Sequence, residues 1–399
     1  MKNLLFLVHR IPYPPNKGDK IRSYNFLKGL SNDYNIHLAA FIDDAEDYQY
    51  IDKVEDLTAS SFFVNLNPSL AKIKSLSGFI TNKALSVPFY HNYKVQKWVD
   101  KTIRDNKIEK IFIFSSVMAQ YVEKHQTDCV IDFVDVDSDK WLQYSQKEKW
   151  PMNWVYKREA KTLLEFDSRV AKSAKMNIFV SQEESQLFTS LVDIDSKKVS
   201  FVNNGVDTEY FSINEPYNTP YNEHENIIVF TGAMDYWANV DAVTWFVREV
   251  FPIIKQQCRN ARFYIVGSKP TKQVMHLAST EGVFVTGRVE DIRPYLRFSS
   301  IVVAPLLIAR GIQNKVLEAM AMGKKIVATP QAIEGIKIVD QEVYIEESAE
   351  GFAKQVLLLL DNTQTNLYVE ENRQFVQKNF SWDASLKQLT HIIETVTTD

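Results

Sequence analysis

Residues 301–329 read IVVAPLLIARGIQNKVLEAMAMGKKIVAT, and the order of signals within them sets the fold. IVVAP (301–305) is a short apolar run of strand length that opens on β-branched residues. Gly311 then permits a tight turn, and from 312 to 322 the apolar positions recur at helical spacing. A second apolar run, KIVAT (325–329), follows at once. Strand, helix and strand in so few residues make a βαβ unit, and the lack of polar alternation in either run means that both faces of each strand are covered.

The same rhythm extends in both directions. Toward the start, strands are expected at LLFLV (4–8), IHLAAFI (36–42), SFFVNL (61–66), KIFIFS (110–115), CVIDFV (129–134), NIFVS (177–181) and KVSFVNN (198–204). Helices lie between them, and the one from Lys20 to Leu30 presents Ile21, Tyr24, Leu27 and Leu30 to one side. SINEPYNTPYNEHE (212–225) breaks the rhythm with two prolines and reads as an interdomain linker. Beyond it come strands at 226–233, 262–267, 283–287, 301–305, 325–329 and 342–347, with helices over 240–257, 291–298 and 312–322, and three amphipathic helices at the end. One architecture in two halves implies an α/β fold of two Rossmann-like, doubly wound parallel-sheet domains facing across a cleft. The first spans 1–211 and regains the last helix, 381–399; the second spans 226–380. Ligands of such sheets sit at the carboxyl ends of the strands.

Composition excludes several classes. At 399 residues and 45% apolar content the chain can fill two cores, and a net charge of −4 gives no field that would gather nucleic acid. Cys129 and Cys258 lie in or beside apolar runs in separate halves, as buried thiols of a reducing compartment would. The opening MKNLLFLVHRIPYPP has an apolar stretch too short for a signal peptide, and no run reaches membrane-spanning length. The expectation is a cytoplasmic protein.

Several strings together resemble the retaining glycosyltransferases of the GT-B fold, in the large bacterial group 4 family. They are FVSQEESQLF (179–188), NNGVDTEYF (203–211), VFTGAMDYWANVDAVTWFVREVFP (229–252), FYIVGS (263–268), VTGRVEDIRPYL (285–296), the 301–329 stretch and FSWDASLKQL (380–389), in the family's order and approximate spacing. RIPYPPNKGDKIRSYNFLKGL (10–30) and ARGIQNKVLEAMAMG (309–323) are most similar to sugar transferases of bacterial exopolysaccharide and capsule clusters. The resemblance implies a nucleotide-diphosphate sugar as donor, a glycan or lipid-diphosphate-linked acceptor, retention of configuration, and no metal or other cofactor.

The donor site is expected between Arg310 and Gly323. The Gly311 turn and the free amides of the first helical turn, at Ile312 and Asn314, make a place for a diphosphate. Helical spacing puts Gly311, Asn314, Lys315, Glu318 and Met322 on one displayed face, with Val316, Met320 and Gly323 toward the sheet. In the resembled family the Glu at position 318 accepts hydrogen bonds from the donor ribose, which suits a carboxylate facing a vicinal diol. The alternative is an exposed carboxylate paired with Lys315. The chain departs from the family at two points. Arg310 stands where a sugar-contacting Glu is usual, and TGAMDYWAN (231–239) lacks the phosphate-binding Arg and Lys that follow the second domain's first strand. Arg310 and Lys315 are the natural replacements, as catalytic cations for the leaving diphosphate, with Gly232 letting backbone approach the phosphates. Arg288 is a further cation, weighed against a turn residue paired with Glu290 or Asp291, and the backbone at Val289 is where the family reads the base.

On the first domain, Gly18 and Asp19 precede Lys20 and Arg22 at a helix start that is expected to face the cleft and welcome anions. His9 ends the first strand, either acting on an acceptor hydroxyl or held structurally. Asp135, in DFVDVDSDKW (132–141), is an acceptor-side base or orienting carboxylate, or else a turn or N-cap residue. Asp135-Val136-Asp137 has the shape of a metal-diphosphate motif of another glycosyltransferase fold, but lies in the domain opposite the expected donor. From 70 to 110, lysines alternate with Phe79, Phe89, Tyr90, Tyr93 and Trp98, a mixture suited to peripheral contact with an anionic membrane. Two other functions share the fold, a nucleotide-sugar 2-epimerase and a non-catalytic nucleotide-sugar-binding scaffold.

Overall fold

A computed structural model describes residues 1–15, 17–125, 127–222, 225–309, 311–361 and 368–395. The chain divides into two compact units, Met1–Asn203 with Ser385–Asp399, and Asn204–Ala384.

The first unit is built on seven strands: β1 (Lys2–Val8), β2 (Tyr34–Ile42), β3 (Ser60–Asn65), β4 (Lys110–Phe114), β5 (Cys129–Val134), β6 (Met176–Phe179) and β7 (Val199–Phe201). They pair in parallel in the order β3-β2-β1-β4-β5-β6-β7, so the order reverses between β1 and β4. Leu4, Leu5, Phe6 and Leu7 of β1 are fully buried, as continuous apolar runs in a sheet covered on both faces must be. Each such side chain contributes about 1.5–3 kcal/mol on leaving water. The last helix, Trp382–Thr395, ends on this unit, where a Cβ on Gly29 would stand 2.2 Å from Leu386 and Gln388 Nε2 donates to Phe201 O at 2.7 Å.

The second unit carries six strands: β8 (Asn226–Thr231), β9 (Ala261–Val266), β10 (Val283–Gly287), β11 (Ile301–Ala304), β12 (Ile326–Ala328) and β13 (Val343–Ile345). Their parallel order is β10-β9-β8-β11-β12-β13, reversing between β8 and β11. The helix expected over 240–257 runs from Trp237 to Gln257 with a π-helical turn at Phe246–Val250. Residues five apart point about 140° away from each other on an α-helix; the wider turn brings both Phe246 and Phe251 against Phe263, at 4.4 and 6.1 Å between ring centroids.

Residues 204–211 pack with the second unit. Val206 N bonds Phe380 O at 2.7 Å, a Cβ on Gly205 would meet Trp382 N at 2.5 Å, and Arg373 donates to Thr208 O, Phe211 O and Ala321 O at 2.6–2.9 Å. Asp207 caps the next turn through Glu209 N and Tyr210 N. The glycine and aspartate of NNGVDTEYF are thus explained by backbone packing and capping. Tyr221, within the linker stretch, is buried in the second core.

The apolar face of the first long helix, Gly18–Leu30, differs from the expected one. Leu27 and Leu30 are buried together with Lys20, Arg22, Ser23 and Phe26, whereas Ile21 and Tyr24 are only partly covered. The two cations bury because each has an internal carboxylate partner, which sequence spacing does not reveal. Both cysteines are free thiols and partly buried. Among the described residues no helix is long and apolar enough to cross a membrane.

Candidate functional site

In the second unit the constellation forms where the strand order reverses, at the carboxyl end of β8, the ordinary ligand position of an open parallel sheet. β8 ends at Thr231 and the chain turns at Gly232. No side chain fits there, since a Cβ would lie 2.7 Å from Asn239 Nδ2 and 3.2 Å from Lys315 Nζ. The neighbouring Gly267, just past β9, is equally constrained: its Cβ would lie 1.6 Å from Gly232 O.

Asn239 ties this turn to the helix Asn314–Ala321. Its Nδ2 donates to Ala233 O at 2.8 Å, and its Oδ1 accepts from Lys315 Nζ. The same ammonium lies 4.4 Å from the centroid of the Phe230 ring, a cation-π contact that steadies it in a poorly hydrated place. A cation is thereby held against the backbone of the Gly232 turn. Although both side chains keep some exposed surface, their charged ends are desolvated: burial pulls the Lys315 ammonium down to about 7 and pushes the Glu318 carboxyl up to about 7, each charge partly offsetting the other's shift. Lys315 is bonded to Asn239, and Glu318 acts on it as a nearby charge.

Two polar atoms beside this cation are buried without a hydrogen-bond partner, Thr231 Oγ1 and Asn314 Oδ1. The helix that begins at Asn314 has no side-chain cap, since Gln313 makes none. An uncapped helix start, a desolvated ammonium, a glycine turn and the Thr231 hydroxyl suit a phosphoryl group, which accepts hydrogen bonds and carries negative charge; the Asn314 oxygen, itself an acceptor, adds nothing to that.

The remaining donor-side residues fall as follows. Gly311 is buried at φ 63°, in the left-handed region that its turn needs. The Ile312 side chain packs into the core, so only its backbone is open to a ligand role. Met322, expected on the displayed face with Glu318, is buried, because it follows the helix's last residue, Ala321, and the chain there leaves helical register. Arg288 is exposed just beyond Gly287, and of its two expected carboxylate partners, Glu290 and Asp291, the second is instead held by Arg293 at 2.7–3.0 Å. Val289 packs partly against the core. Arg310 lies outside the described residues.

In the first unit the expected residues gather at the carboxyl ends of β1, β4 and β5, but not all in the expected way. His9 stacks on Phe114 and meets the edge of Tyr90, with ring centroids 5.9 and 5.7 Å apart. Its Nε2 stands 3.4 Å from Asp19 Oδ2, while its Nδ1 is buried with no partner. Asp19 also takes Arg10 Nη1 at 2.7 Å, and although burial opposes it, His9 and Arg10 hold its carboxyl well below the usual range. Gly18 is exposed with open space around its Cβ position.

Arg22 is a correction. Its guanidinium is fully buried, bonded to Asp132 through Nε at 2.8 Å and to Val202 O through Nη1 at 2.8 Å. Lys20 is likewise buried on Asp47 at 2.6 Å. Neither cation is offered to a ligand, and the helix start faces no anion through them. Asp135 bonds Lys140 at 2.6 Å, as Asp137 does at 3.1 Å. Both carboxylates of the Asp-x-Asp string are thus engaged by one ammonium. The backbone here is strained: Val134 takes φ 67° and Ser115, on the adjacent strand end, φ 75°. A β-branched residue in that region costs about 1–3 kcal/mol, the kind of cost that persists where a strand end is shaped for a purpose.

Sequence reading missed Asn239, Gly267 and Thr231. Asn239 had a weak signal, as a polar residue set between Ala238 and Val240 at the start of the helix Trp237–Trp245. Gly267 had only its place after a strand.

With the geometry established, likeness to known proteins bears on its meaning. Residues 225–362 match the family described as glycosyl transferases group 1. The second unit therefore carries a domain of group 1 glycosyl transferase type, and this domain contains the Gly232–Asn239–Lys315 constellation. An uncharacterized glycosyltransferase of Methanocaldococcus jannaschii is 24% identical over 177 residues, which is 42% of this chain and 44% of that protein. The match thus spans less than half of either protein. Among solved structures, Anabaena HepE in complex with UDP and glucose matches 99% of this chain and 100% of its own, at TM-score 0.68 and 14% identity. WaaG, a glycosyltransferase involved in lipopolysaccharide biosynthesis, matches 98% and 99% at TM-score 0.66 and 14% identity. Two parallel-sheet α/β units of seven and six strands are the GT-B fold.

Proposed function

We propose that the chain is a retaining glycosyltransferase that moves a sugar from a nucleotide-diphosphate donor, bound by the second unit, to a glycan or lipid-linked acceptor in bacterial surface polysaccharide synthesis. One observation carries the reading: Lys315 Nζ, held by Asn239, stands 3.2 Å from where Gly232 would place a Cβ. A phosphate laid on that glycine turn meets the ammonium directly. Lys315, with Arg310, replaces the two cations that the chain lacks after β8. Asn314, Gly311 and the backbone at Ile312 bind the diphosphate, Glu318 takes the ribose, and Arg288 and Val289 flank the base. The similar Anabaena structures are complexes with UDP and with UDP-glucose, which makes a uridine nucleotide the first candidate.

Departure of the diphosphate leaves an oxocarbenium-like sugar, and preorganised cations at the leaving group supply most of the rate. A donor phosphate oxygen accepts the acceptor proton on the same face, so no nucleophile is required and no metal is needed. His9, Asp19, Gly18 and Asp135 lie on the acceptor's side, in the first unit. Five lysines and no acid between Pro68 and Val99 favour peripheral contact with the anionic inner face of a membrane.

Thermal unfolding with UDP-, GDP-, ADP- and CMP-sugars, followed by hydrolysis assays on those that stabilise, tests the reading. A stabilising nucleotide-sugar that the protein slowly hydrolyses is expected. No stabilisation by any of the four, and no hydrolysis, would overturn it.

A further inference from the structure

The first unit contains an apolar slot of about 290 Å³ that none of the roles above uses. It is lined by Ser75, Phe89, Tyr90, Trp141, Val155 and Tyr156. Its charged group is already engaged: Glu159 accepts from Leu85 N at 2.6 Å, Ser86 N at 3.1 Å and Ser86 Oγ at 3.0 Å, and Ser75 Oγ donates to Lys72 O at 2.7 Å. A sugar or peptide ligand would find almost nothing to hydrogen-bond, whereas a hydrocarbon chain needs only this kind of wall.

Its surroundings have the chemistry of a lipid surface. The helix Pro68–Ser75, which supplies Ser75, leaves Leu70 and Ile73 bare at 65% and 67% exposure, and Ile80 follows at 90%. Trp150 and Trp154 are bare at the start of the helix that supplies Val155 and Tyr156, and Trp154 stacks on Phe79. Lys72, Lys74 and Lys83 stand among these side chains with no acidic residue in the segment. Exposed aliphatic and indole groups mixed with ammonium groups match an anionic interface. The slot is also tied to the strand ends through Tyr90, which lines it and whose ring stands perpendicular to that of His9 at 5.7 Å between centroids.

We propose that this slot holds the aliphatic chain of the acceptor, so that the acceptor is an anionic, membrane-borne amphiphile whose reactive end lies toward His9 and Asp19. The proposal rests on the transferase reading and narrows its acceptor from glycan or lipid to lipid.

Dodecyl phosphate below its aggregation concentration is the probe, with butyl phosphate as the short-chain control, titrated into the full chain. The long chain binds and the short one does not; Val155→Trp, which fills the slot, weakens dodecyl phosphate at least about tenfold and leaves UDP affinity unchanged. Equal binding of dodecyl phosphate by wild type and V155W, or no advantage over butyl phosphate, overturns the proposal. Should V155W fail to fold, dodecyl phosphate brominated at its chain end serves instead. It quenches indole fluorescence in the wild type and loses part of that quench in Trp141→Phe, and an unchanged quench overturns the proposal. Flotation on phosphatidylglycerol–phosphatidylcholine vesicles separates acceptor from bulk lipid, V155W floating as wild type does; loss of flotation in V155W would give the slot to bulk lipid and overturn the proposal. Dodecyl phosphate binding with no nucleotide binding would strike the transferase reading, and with it the slot's role for an acceptor, whereas nucleotide binding without dodecyl phosphate binding would overturn the slot proposal alone.

Discussion

Replacing Lys315 by methionine should move activity and stability in opposite directions. The ammonium is desolvated enough to bring its pKa from 10.5 to about 7, which corresponds to about 5 kcal/mol against the charged form. The fold alone therefore gains nothing from a charge at this place. Methionine keeps an unbranched stem and removes the charged end, with its cation-π contact to Phe230 and its bond to Asn239. Near neutral pH the melting temperature should hold or rise. A bound phosphate reverses the balance, because a charge-assisted hydrogen bond is worth about 1.5–3 kcal/mol, so UDP affinity should fall about 10- to 150-fold. Turnover should fall further, by about 10²–10³, since a leaving diphosphate draws on the cation more strongly than the ground state does. Urea unfolding, calorimetric titration with UDP and donor hydrolysis measure the three quantities. Destabilisation by more than about 2 kcal/mol together with unchanged nucleotide affinity would make Lys315 a structural residue and refute the reasoning.

Three further outcomes follow from the same geometry. Because Lys315 and Glu318 both titrate near 7, raising the pH neutralises the ammonium and charges the carboxylate, so UDP affinity should decline from pH 6 to pH 9 with proton uptake on binding, seen by titration in buffers of different ionisation enthalpy; a flat profile would exclude it. Asn239→Leu removes the bond that aims Lys315 and leaves Ala233 O with only the longer bond from Tyr236 N, at 3.4 Å, so it should weaken UDP about tenfold while K315M/N239L loses little more than K315M, as a double-mutant cycle would show. Arg22→Met should cost about 3–5 kcal/mol in urea unfolding by stranding Asp132 in the core, whereas a ligand-binding Arg22 would lose affinity at unchanged stability.

The strands were legible because a parallel sheet covered on both faces demands unbroken apolar runs, and such runs are local in sequence. LLFLV, NIIVFTGA and KIVAT needed no tertiary knowledge. Arg22 was misread for the opposite reason. Its role depends on Asp132, 110 residues away, and on the carbonyl of Val202, so a helix start with two cations looks the same in sequence whether they face solvent or the core. At the candidate site the place of Lys315 near the helix start was readable from spacing, yet its aim was not, since Asn239 lies 76 residues earlier and Gly267 matters only through an oxygen of Gly232. The helix face erred at its two ends: Gly311 and Met322 are both buried and lie outside the helix Asn314–Ala321, where periodic projection no longer holds.

A crystal structure of the full chain with UDP would test the central claim most directly. The account predicts the β-phosphate on the Gly232 turn, within hydrogen-bond reach of Lys315 Nζ and of the amide at Asn314, with Glu318 on the ribose. A nucleotide bound elsewhere, with Lys315 still bonded to Asn239 alone, would contradict it.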